Sequence, residues 1–418
     1  MKKRLLPLIL STLLVPVTAQ AEGIGTIPPE DWDKLDPEDQ AAVALDLEDP
    51  TGEAWKVIRE DLSEGREPGP INIRRFKGGM PWVSIPTFFN LPVALTPEDL
   101  KAGEIEVAIL GAEFYNSPRV QSYGPTELRA NTKSSIYHAW GDWEMPHLDS
   151  GLKVFQELKV VDYGDAPLHP YSYNLSVPEV RKMVAEIASV KLENGKRTIP
   201  IVVGGGHGLM FPDAAGLADV YGKGNLVVIH FDAHADQSPA GFGVGLTHGN
   251  PVRKLVEAGL IKGEDIIQIG LRGPSSTDMD GVAWNRENGL QYHMMAEVER
   301  RGWQPVMDDV LAEAKAKGKP VFLSFDVDVV DPAFIPGTST PEAGGIYMRE
   351  ALPLVRRICA ENNLVGMELV ELRPERDPGY ISTQNSYAIL RQCINGIAMA
   401  KKELPDDYLH PELVDDGK

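Results

Sequence analysis

The sequence predicts one large α/β domain in three layers, α/β/α, with a central, mostly parallel sheet. The first observation is a series of short apolar runs, rich in β-branched residues, without the polar alternation of half-exposed strands. The runs predicted as strands span residues 105–111, 158–162, 199–203, 226–231, 265–271, 320–325 and 364–369. The second is that helical patterns separate these runs, and strands that alternate with helices form parallel sheets.

The segments between the strands have the spacing of apolar residues that is typical of helices packed on one face. The clearest of them are predicted as helices over residues 178–192, 305–317, 348–362 and 383–402. Gly195 and Gly318 supply stop signals, because glycine is common just after the last residue of a helix. We expect one domain over residues 80–403, followed by an acidic, solvated tail over 404–418.

The N-terminus is typical of a secretory signal peptide over residues 1–21. A basic start precedes an apolar run from Leu5 to about Val17, and a small-residue cleavage motif ends at Ala21. A membrane anchor is the alternative, but the run is short for a span of roughly 20 residues. The mature protein is therefore expected in the periplasm or outside the cell. Residues 22–79 are polar and rich in proline and acidic residues, which predicts an extension or arm along the domain or a neighbouring subunit.

Composition narrows the classes of partner. The chain has 61 acidic and 41 basic residues, a formal net charge of -20, which repels nucleic acid and anionic membranes and favours small cationic ligands. Beyond the signal segment we expect no membrane span. Cys359 and Cys393 are the only cysteines. They are too few for a disulfide-built scaffold, but one bridge between them is left open.

Acidic and imidazole side chains follow three of the predicted strands. They are His207, Asp232, His234, Asp236, Asp326 and Asp328. Alternate positions of an extended chain face one side, and the carboxyl ends of parallel strands meet at one crevice. Four carboxylates there would repel one another without cations, so the sequence predicts two divalent metal ions. The mixture of oxygen and imidazole ligands favours Mn²⁺, with Ni²⁺, Co²⁺ or Fe²⁺ as alternatives. Taken singly, each residue is also explained as a turn histidine or an aspartate at a helix start.

These motifs resemble those of the ureohydrolases, the arginase and agmatinase superfamily. The most specific are GGGHG at 204–208, FDAHAD at 231–236 and SFDVDVVDPAFIPGTSTPEAGG at 324–345. Further similarity is found in IPTFFNLP at 85–92, YGPTELR at 123–129, THGNPVRKLVEAG at 247–259, QIGLRG at 268–273 and LVGMELVELRP at 364–374. The resemblance covers about residues 80–402 and leans toward the agmatinase-like branch. It implies an arginase-like fold, a catalytic domain over 80–403, and a homo-trimer or homo-hexamer.

By position in the motifs, the resemblance implies that the six residues above hold two metal ions. It also implies that His248 shuttles a proton and that Glu371 pairs with a substrate guanidinium. Asp328 would both hold a metal and accept a hydrogen bond from the attacking water. The alternatives are that His248 caps the helix that follows it, and that Glu371 pairs with Arg373 or Arg376.

The chain departs from the family pattern around His207. Gly206 and Gly208 stand where the family usually has an Asp and a Ser or Thr, and Glu368 stands where an Asp is commoner. The two glycines lack the side chains that usually surround this histidine, but none of the departures removes a proposed metal ligand. Loss of the hydrogen-bond partners that orient a metal ligand typically weakens metal binding by about 10- to 100-fold.

The implied reaction is hydrolysis of a small cationic guanidino compound to urea and an amine. Two metals would activate a water for attack on the guanidinium carbon, Glu371 would orient that carbon, and His248 would return a proton to the departing amine. Agmatine, guanidinobutanoate, guanidinopropanoate, arginine and guanidine all remain open as substrates, although the absence of charge in residues 237–247 disfavours an α-amino acid. Two rivals from other classes are a zinc deacylase, which would not need six ligands, and an exported, noncatalytic protein that binds guanidino compounds or metals.

Overall fold

The computed structural model describes residues 62, 65–74, 85–113, 123–131, 142–169, 173–239, 245–274 and 277–414. The predicted signal peptide and most of the predicted arm lie outside these residues. No helix within these ranges combines the length and the apolar character needed to cross a membrane.

The described residues form one sheet of eight parallel strands. In chain order these are β1 (Val107–Ala112), β2 (Val160–Asp165), β3 (Ile199–Gly204), β4 (Val227–Phe231), β5 (Ile266–Ile269), β6 (Gln291–His293), β7 (Val321–Asp326) and β8 (Leu364–Val370). Across the sheet their order is β2-β1-β3-β8-β7-β4-β5-β6, and each neighbouring pair is parallel. Seven strands match the predicted runs. The eighth, β6, is a three-residue edge strand whose sequence, Gln-Tyr-His, has no apolar run to reveal it.

Helices cover both faces of this sheet. In the described part of the chain they are α1 (Pro97–Gly103), α2 (Gly124–Asn131), α3 (Asp142–Glu144), α4 (Val154–Glu157), α5 (Tyr173–Ser189), α6 (Met210–Tyr221), α7 (Pro251–Glu257), α8 (Met279–Asn288), α9 (Met295–Arg301), α10 (Trp303–Lys317), α11 (Met348–Glu361), α12 (Ile381–Lys401) and α13 (Pro411–Val414). The four predicted helices correspond to α5, α10, α11 and α12. The largest difference is at α5, which begins at Tyr173, so that Pro178 lies inside it rather than at its start.

Neighbouring residues of each strand pack into opposite halves of the core, because successive side chains of a strand point to opposite faces. Phe325 packs with residues of α10, α11 and α12. Phe322 packs on the other face, with residues of α5, α6 and α7. This arrangement confirms the predicted three-layer α/β/α fold.

Three peripheral features qualify the sequence predictions. Cys359 of α11 and Cys393 of α12 form a disulfide, with their Cα atoms 5.4 Å apart. The C-terminal tail is not wholly solvated, because the backbone N–H of His410 donates a hydrogen bond of 2.7 Å to Asp149 O and tethers the segment just before α13. The described part of the arm, residues 65–74, packs on its own domain through ion-paired Arg66 and Asp99.

The strand order determines which side chains meet. The neighbours β3, β8, β7 and β4 end at the same edge of the sheet. Beyond these ends come His207, Glu371, Asp328 and Asp232, respectively. Because β8 lies between β3 and β7, Glu371 is placed in the middle of the predicted metal-binding residues.

Candidate active site

His207 is the centre of a first cluster of buried polar side chains. It opens a short 3-10 turn after β3. Its Nδ1 lies 2.8 Å from Asp232 Oδ2, 3.0 Å from Asp236 Oδ2 and 3.1 Å from Asp326 Oδ2. Although these oxygens are close, Nδ1 makes no hydrogen bond of acceptable geometry. A buried nitrogen surrounded by carboxylates in this way fits a ligand whose lone pair faces a cation.

His234 organises a second, adjacent cluster. Its Nδ1 lies 3.3 Å from Asp232 Oδ1 and 3.0 Å from Asp328 Oδ2. Asp232 therefore turns one oxygen toward each histidine and is shared by the two clusters. A carboxylate shared between two groups of ligands is the arrangement expected for two neighbouring ions.

The charges of the clusters are unbalanced without cations. Burial, and then the neighbouring carboxylates, raise the pKa of Asp326 well above its usual range. Burial opposes the protonation of both imidazoles, but the facing carboxylates outweigh it, so the pKa of His207 lies well above its usual value and that of His234 is raised to about 12. The facing carboxylates thus favour positive charge at both histidines, and this is the kind of charge that bound metals would supply. The residues fit a binuclear site for divalent ions.

Two of the candidate residues have an uncommon backbone conformation. The φ angles of Asp236 and Glu371 are 47° and 62°, in the left-handed region that non-glycine residues rarely adopt. The N–H of Glu371 donates to Gly205 O at 2.7 Å, and the carbonyl of Asp236 accepts from Val252 N at 3.1 Å. Such strain, about 1–3 kcal/mol per residue, is tolerated where the surrounding structure holds the residue in place, as at active sites and ligand-binding sites.

Only one oxygen of the Glu371 carboxyl group is held by a hydrogen bond from the protein. Oε1 accepts a hydrogen bond of 2.9 Å from the backbone N–H of His207. Oε2 is buried and makes no hydrogen bond of acceptable geometry with the described residues; the hydroxyl of Ser339 is near enough to the carboxyl group to lower its pKa, against the effect of burial. Burial raises the pKa of Glu371 to about 7. The cations named above as its alternative partners make other contacts: Arg373 is ion-paired with Glu375, and Arg376 Nη1 donates to Ser339 O at 3.0 Å.

His248 lies outside both clusters. It is exposed, in the turn that precedes α7. The residue at the N-cap of α7 is Asn250, so the alternative that His248 is this N-cap is wrong. The assignment of a proton-transfer role to His248 stays a prediction.

His230 is a further residue of this site that none of the sequence motifs above singles out. This residue is fully buried in β4, and its Nε2 lies 3.0 Å from Asp232 Oδ2. Its ring packs edge-on against His207, with 4.9 Å between the ring centroids. The signal was present, because positions 230, 232, 234 and 236 alternate. It is obscured because His230 falls inside an apolar run, where a single polar residue does not stand out from the core.

Comparison with known proteins agrees with this geometry. The model of the Arginase family matches residues 105–395. Guanidinopropionase of Pseudomonas aeruginosa is 33% identical over 320 residues, which cover 75% of this chain and 90% of that protein. The mitochondrial guanidino acid hydrolase of Homo sapiens is 32% identical over 295 residues, covering 71% and 78%. The solved structure of proclavaminate amidino hydrolase from Streptomyces clavuligerus matches with a TM-score of 0.63 and 28% identity, covering 77% of this chain and 99% of that one. The chain therefore belongs to the arginase family.

Proposed function

We propose that the protein hydrolyses a guanidino compound to urea and an amine, with agmatine as the leading candidate substrate. One observation carries the proposal: two histidine–aspartate clusters share Asp232, and Glu371 lies beside them with one carboxylate oxygen bound to the His207 N–H and the other left for a ligand. Relatives named for guanidino compounds, including the agmatinase of Gallus gallus, agree with this class of reaction.

The metal-binding residues divide between the two clusters. His207, Asp232, Asp236 and Asp326 would hold one ion, and Asp232, His234 and Asp328 the other. When bound, two divalent ions supply Lewis acidity and lower the pKa of water enough for attack at neutral pH. We propose Mn²⁺, with Ni²⁺ as the alternative, because carboxylates and imidazoles suit both.

Glu371 would bind the substrate guanidinium. Because Oε1 is held by the His207 N–H, Oε2 is left to accept a charge-assisted hydrogen bond from the substrate. This contact restricts the orientation of the planar group, and orientation accounts for a large part of many rate enhancements. The guanidinium carbon would then face the clusters.

Asp328 would align the attacking water. Its Oδ1 accepts a hydrogen bond of 3.1 Å from Ala233 N, and its Oδ2 accepts one of 3.0 Å from Thr340 Oγ1. A carboxylate held at both oxygens keeps a fixed position for accepting a further hydrogen bond. His248, on its exposed turn, would return a proton to the departing amine.

The rival classes explain less of the geometry. A deacylase with one zinc ion would leave half of the clusters without a role. A noncatalytic protein that binds only guanidino compounds would leave both clusters without a role. We propose, further, export across the inner membrane, which agrees with the disulfide between Cys359 and Cys393, and assembly as a homo-trimer or homo-hexamer.

Urea release tests the proposal. The mature protein is loaded separately with Mn²⁺ and Ni²⁺ and assayed with agmatine, guanidinobutanoate, guanidinopropanoate, arginine and guanidine. Metal-dependent release from agmatine supports the leading substrate, and release from a carboxylate-bearing compound moves the assignment to the guanidino-acid hydrolases. Two bound ions with no release from any compound would favour the binding-protein alternative. The matched control is the metal-free protein, which is expected to be inactive.

A further inference from the structure

Four polar side chains form a buried row across the sheet, directly beneath the metal-binding residues. They are register partners on neighbouring strands: Gln268 on β5, His230 on β4, Ser324 on β7 and Glu368 on β8. All four have 0% exposure. We call these four residues the polar row. Buried polar groups cost free energy unless they are hydrogen-bonded, so a row of four calls for a physical reason.

Gln268 holds His230 in one tautomer. The side-chain amide of Gln268 donates a hydrogen bond of 2.8 Å to Ala235 O, which can only accept, so the orientation of the amide is settled. The same nitrogen lies 3.1 Å from His230 Nδ1. Asn285 agrees with this orientation, because its Nδ2 donates to Gln268 Oε1 at 3.3 Å. Nδ1 of His230 is therefore the acceptor and Nε2 carries the proton.

His230 Nε2 consequently donates to Asp232 Oδ2, 3.0 Å away. Both ring nitrogens of His230 are then occupied by protein hydrogen bonds. Although His230 lies close enough to the first cluster to be counted among potential metal ligands, it has no lone pair left for an ion. Its contact with Asp232 Oδ2 instead acts together with the backbone N–H of His234, which donates to Oδ1 at 2.6 Å, and the two hydrogen bonds fix the direction of the carboxylate that both clusters share.

Ser324 supports the other key ligand. Its Oγ lies 2.8 Å from His207 Nε2, and Glu368 Oε1 lies 3.8 Å from the same nitrogen. If Nδ1 of His207 faces an ion, Nε2 carries the proton and donates a hydrogen bond to Ser324 Oγ. Gly206 and Gly208, which flank His207, have no side chains with which to provide this support.

We infer that three residues of the polar row form the positioning layer of the metal centre: Gln268 and His230 orient Asp232, and Ser324 orients His207. Glu368 is not part of this layer, because neither of its carboxylate oxygens has a hydrogen-bond partner among the described residues. The inference rests on the proposed metal centre and goes beyond it by assigning His230 as a supporting residue rather than a ligand. It also explains how His207 is held without polar side chains at positions 206 and 208.

Metal binding by variants tests the inference. His230→Phe keeps a ring against His207 but removes the donor to Asp232, and Gln268→Met removes the donor that fixes His230. The matched control is His293→Phe, a buried histidine that pairs with Glu297 outside both clusters. Stoichiometry and dissociation constants for Mn²⁺ are measured by equilibrium dialysis, with thermal unfolding as the check on folding.

We expect His230→Phe to retain two ions per chain but to bind them about 10- to 100-fold more weakly. Gln268→Met should change the affinity in the same direction, and His293→Phe should leave it unchanged. Loss of one ion from His230→Phe would identify His230 as a ligand and overturn the inference. An unchanged affinity would overturn it as well.

A spectroscopic measurement separates the inference from the proposed function. In metal-free protein labelled with ¹⁵N-histidine, NMR should show the His230 ring with Nε2 protonated and Nδ1 unprotonated, a resonance pair identified by its absence in His230→Phe. Gln268→Met should alter this signature. The opposite tautomer in the unsubstituted protein would overturn the inference, whether or not the protein releases urea. Failure of the unsubstituted protein to bind Mn²⁺ would count against the proposed function instead.

Discussion

Replacing Glu371 by Gln tests the proposed substrate contact with almost no change in shape. The backbone N–H of His207 donates to Oε1 of Glu371 at 2.9 Å. In Glu371→Gln the amide oxygen must take this hydrogen bond, so the NH₂ group occupies the place of Oε2. A donor then faces the donors of the guanidinium. Loss of one charge-assisted hydrogen bond costs about 2 to 3 kcal/mol, which corresponds to a fall in kcat/KM of about 30- to 150-fold.

The assay is urea release by Mn²⁺-loaded protein over a range of concentrations of whichever guanidino compound is turned over. Metal content is measured in the same samples, because Glu371 contacts the backbone of a candidate ligand. Glu297→Gln, at a carboxylate that pairs with His293 and Arg301, is the matched control and should keep full activity. An unchanged kcat/KM in Glu371→Gln with both ions bound would refute the proposal that this carboxylate holds the substrate.

Three further predictions follow from the charges. Asp232→Ala should abolish the binding of both ions, since its two oxygens face His207 and His234; elemental analysis that found one ion retained would contradict the shared ligand. Because the pKa values of these two histidines are raised, we expect metal uptake to displace protons. The affinity for Mn²⁺ should then fall by about tenfold per pH unit toward acid for each proton displaced. Competition with a chelator at several pH values measures this affinity, and an affinity that does not change with pH would contradict the prediction. Arg66 and nearby backbone N–H groups outweigh burial and hold the pKa of Asp99 well below its usual range. The stability that Asp99 contributes is thus present above its unfolded pKa of about 3.9 and is lost as pH falls toward the lower folded value. Asp99→Asn should therefore unfold at a lower urea concentration than the unsubstituted protein at pH 7, and should lose less stability in acid. Equal urea midpoints for the two proteins at pH 7 would show that the ion pair of Arg66 and Asp99 does not stabilise the fold.

The residues that sequence reasoning identified share one property: their signal is local. Each main strand is an apolar run, and Asp232 or Asp326 follows directly where the run ends, so strand and site are recognisable within a few residues. The convergence of these strand ends is a general rule of parallel sheets rather than a property of this chain. The fold class and the approach of the six ligand candidates to one another could therefore be predicted.

The features that escaped prediction depend on long-range pairing. Nothing near Glu371 in the sequence indicates that β8 inserts between β3 and β7, which is what brings this carboxylate to the backbone of His207, 164 residues away. The edge strand Gln291–His293 forms because β5 offers it a partner, since its own residues have little preference for a buried strand. The disulfide likewise depends on how α11 and α12 pack.

His230 shows where a periodic pattern stops being informative. Four residues at alternate positions, 230 to 236, would all face one side of an extended chain, and alternation alone treats them as equivalent ligands. What separates His230 from the others is the amide of Gln268, 38 residues further on, which reaches it through the register of β4 with β5. That hydrogen bond leaves His230 with a proton where a ligand needs a lone pair. A residue within the strand can be enclosed by neighbouring strands and become a support, whereas residues beyond the strand end lie in the crevice and can bind ions. The boundary between support and ligand in this motif is thus the last residue of β4, Phe231.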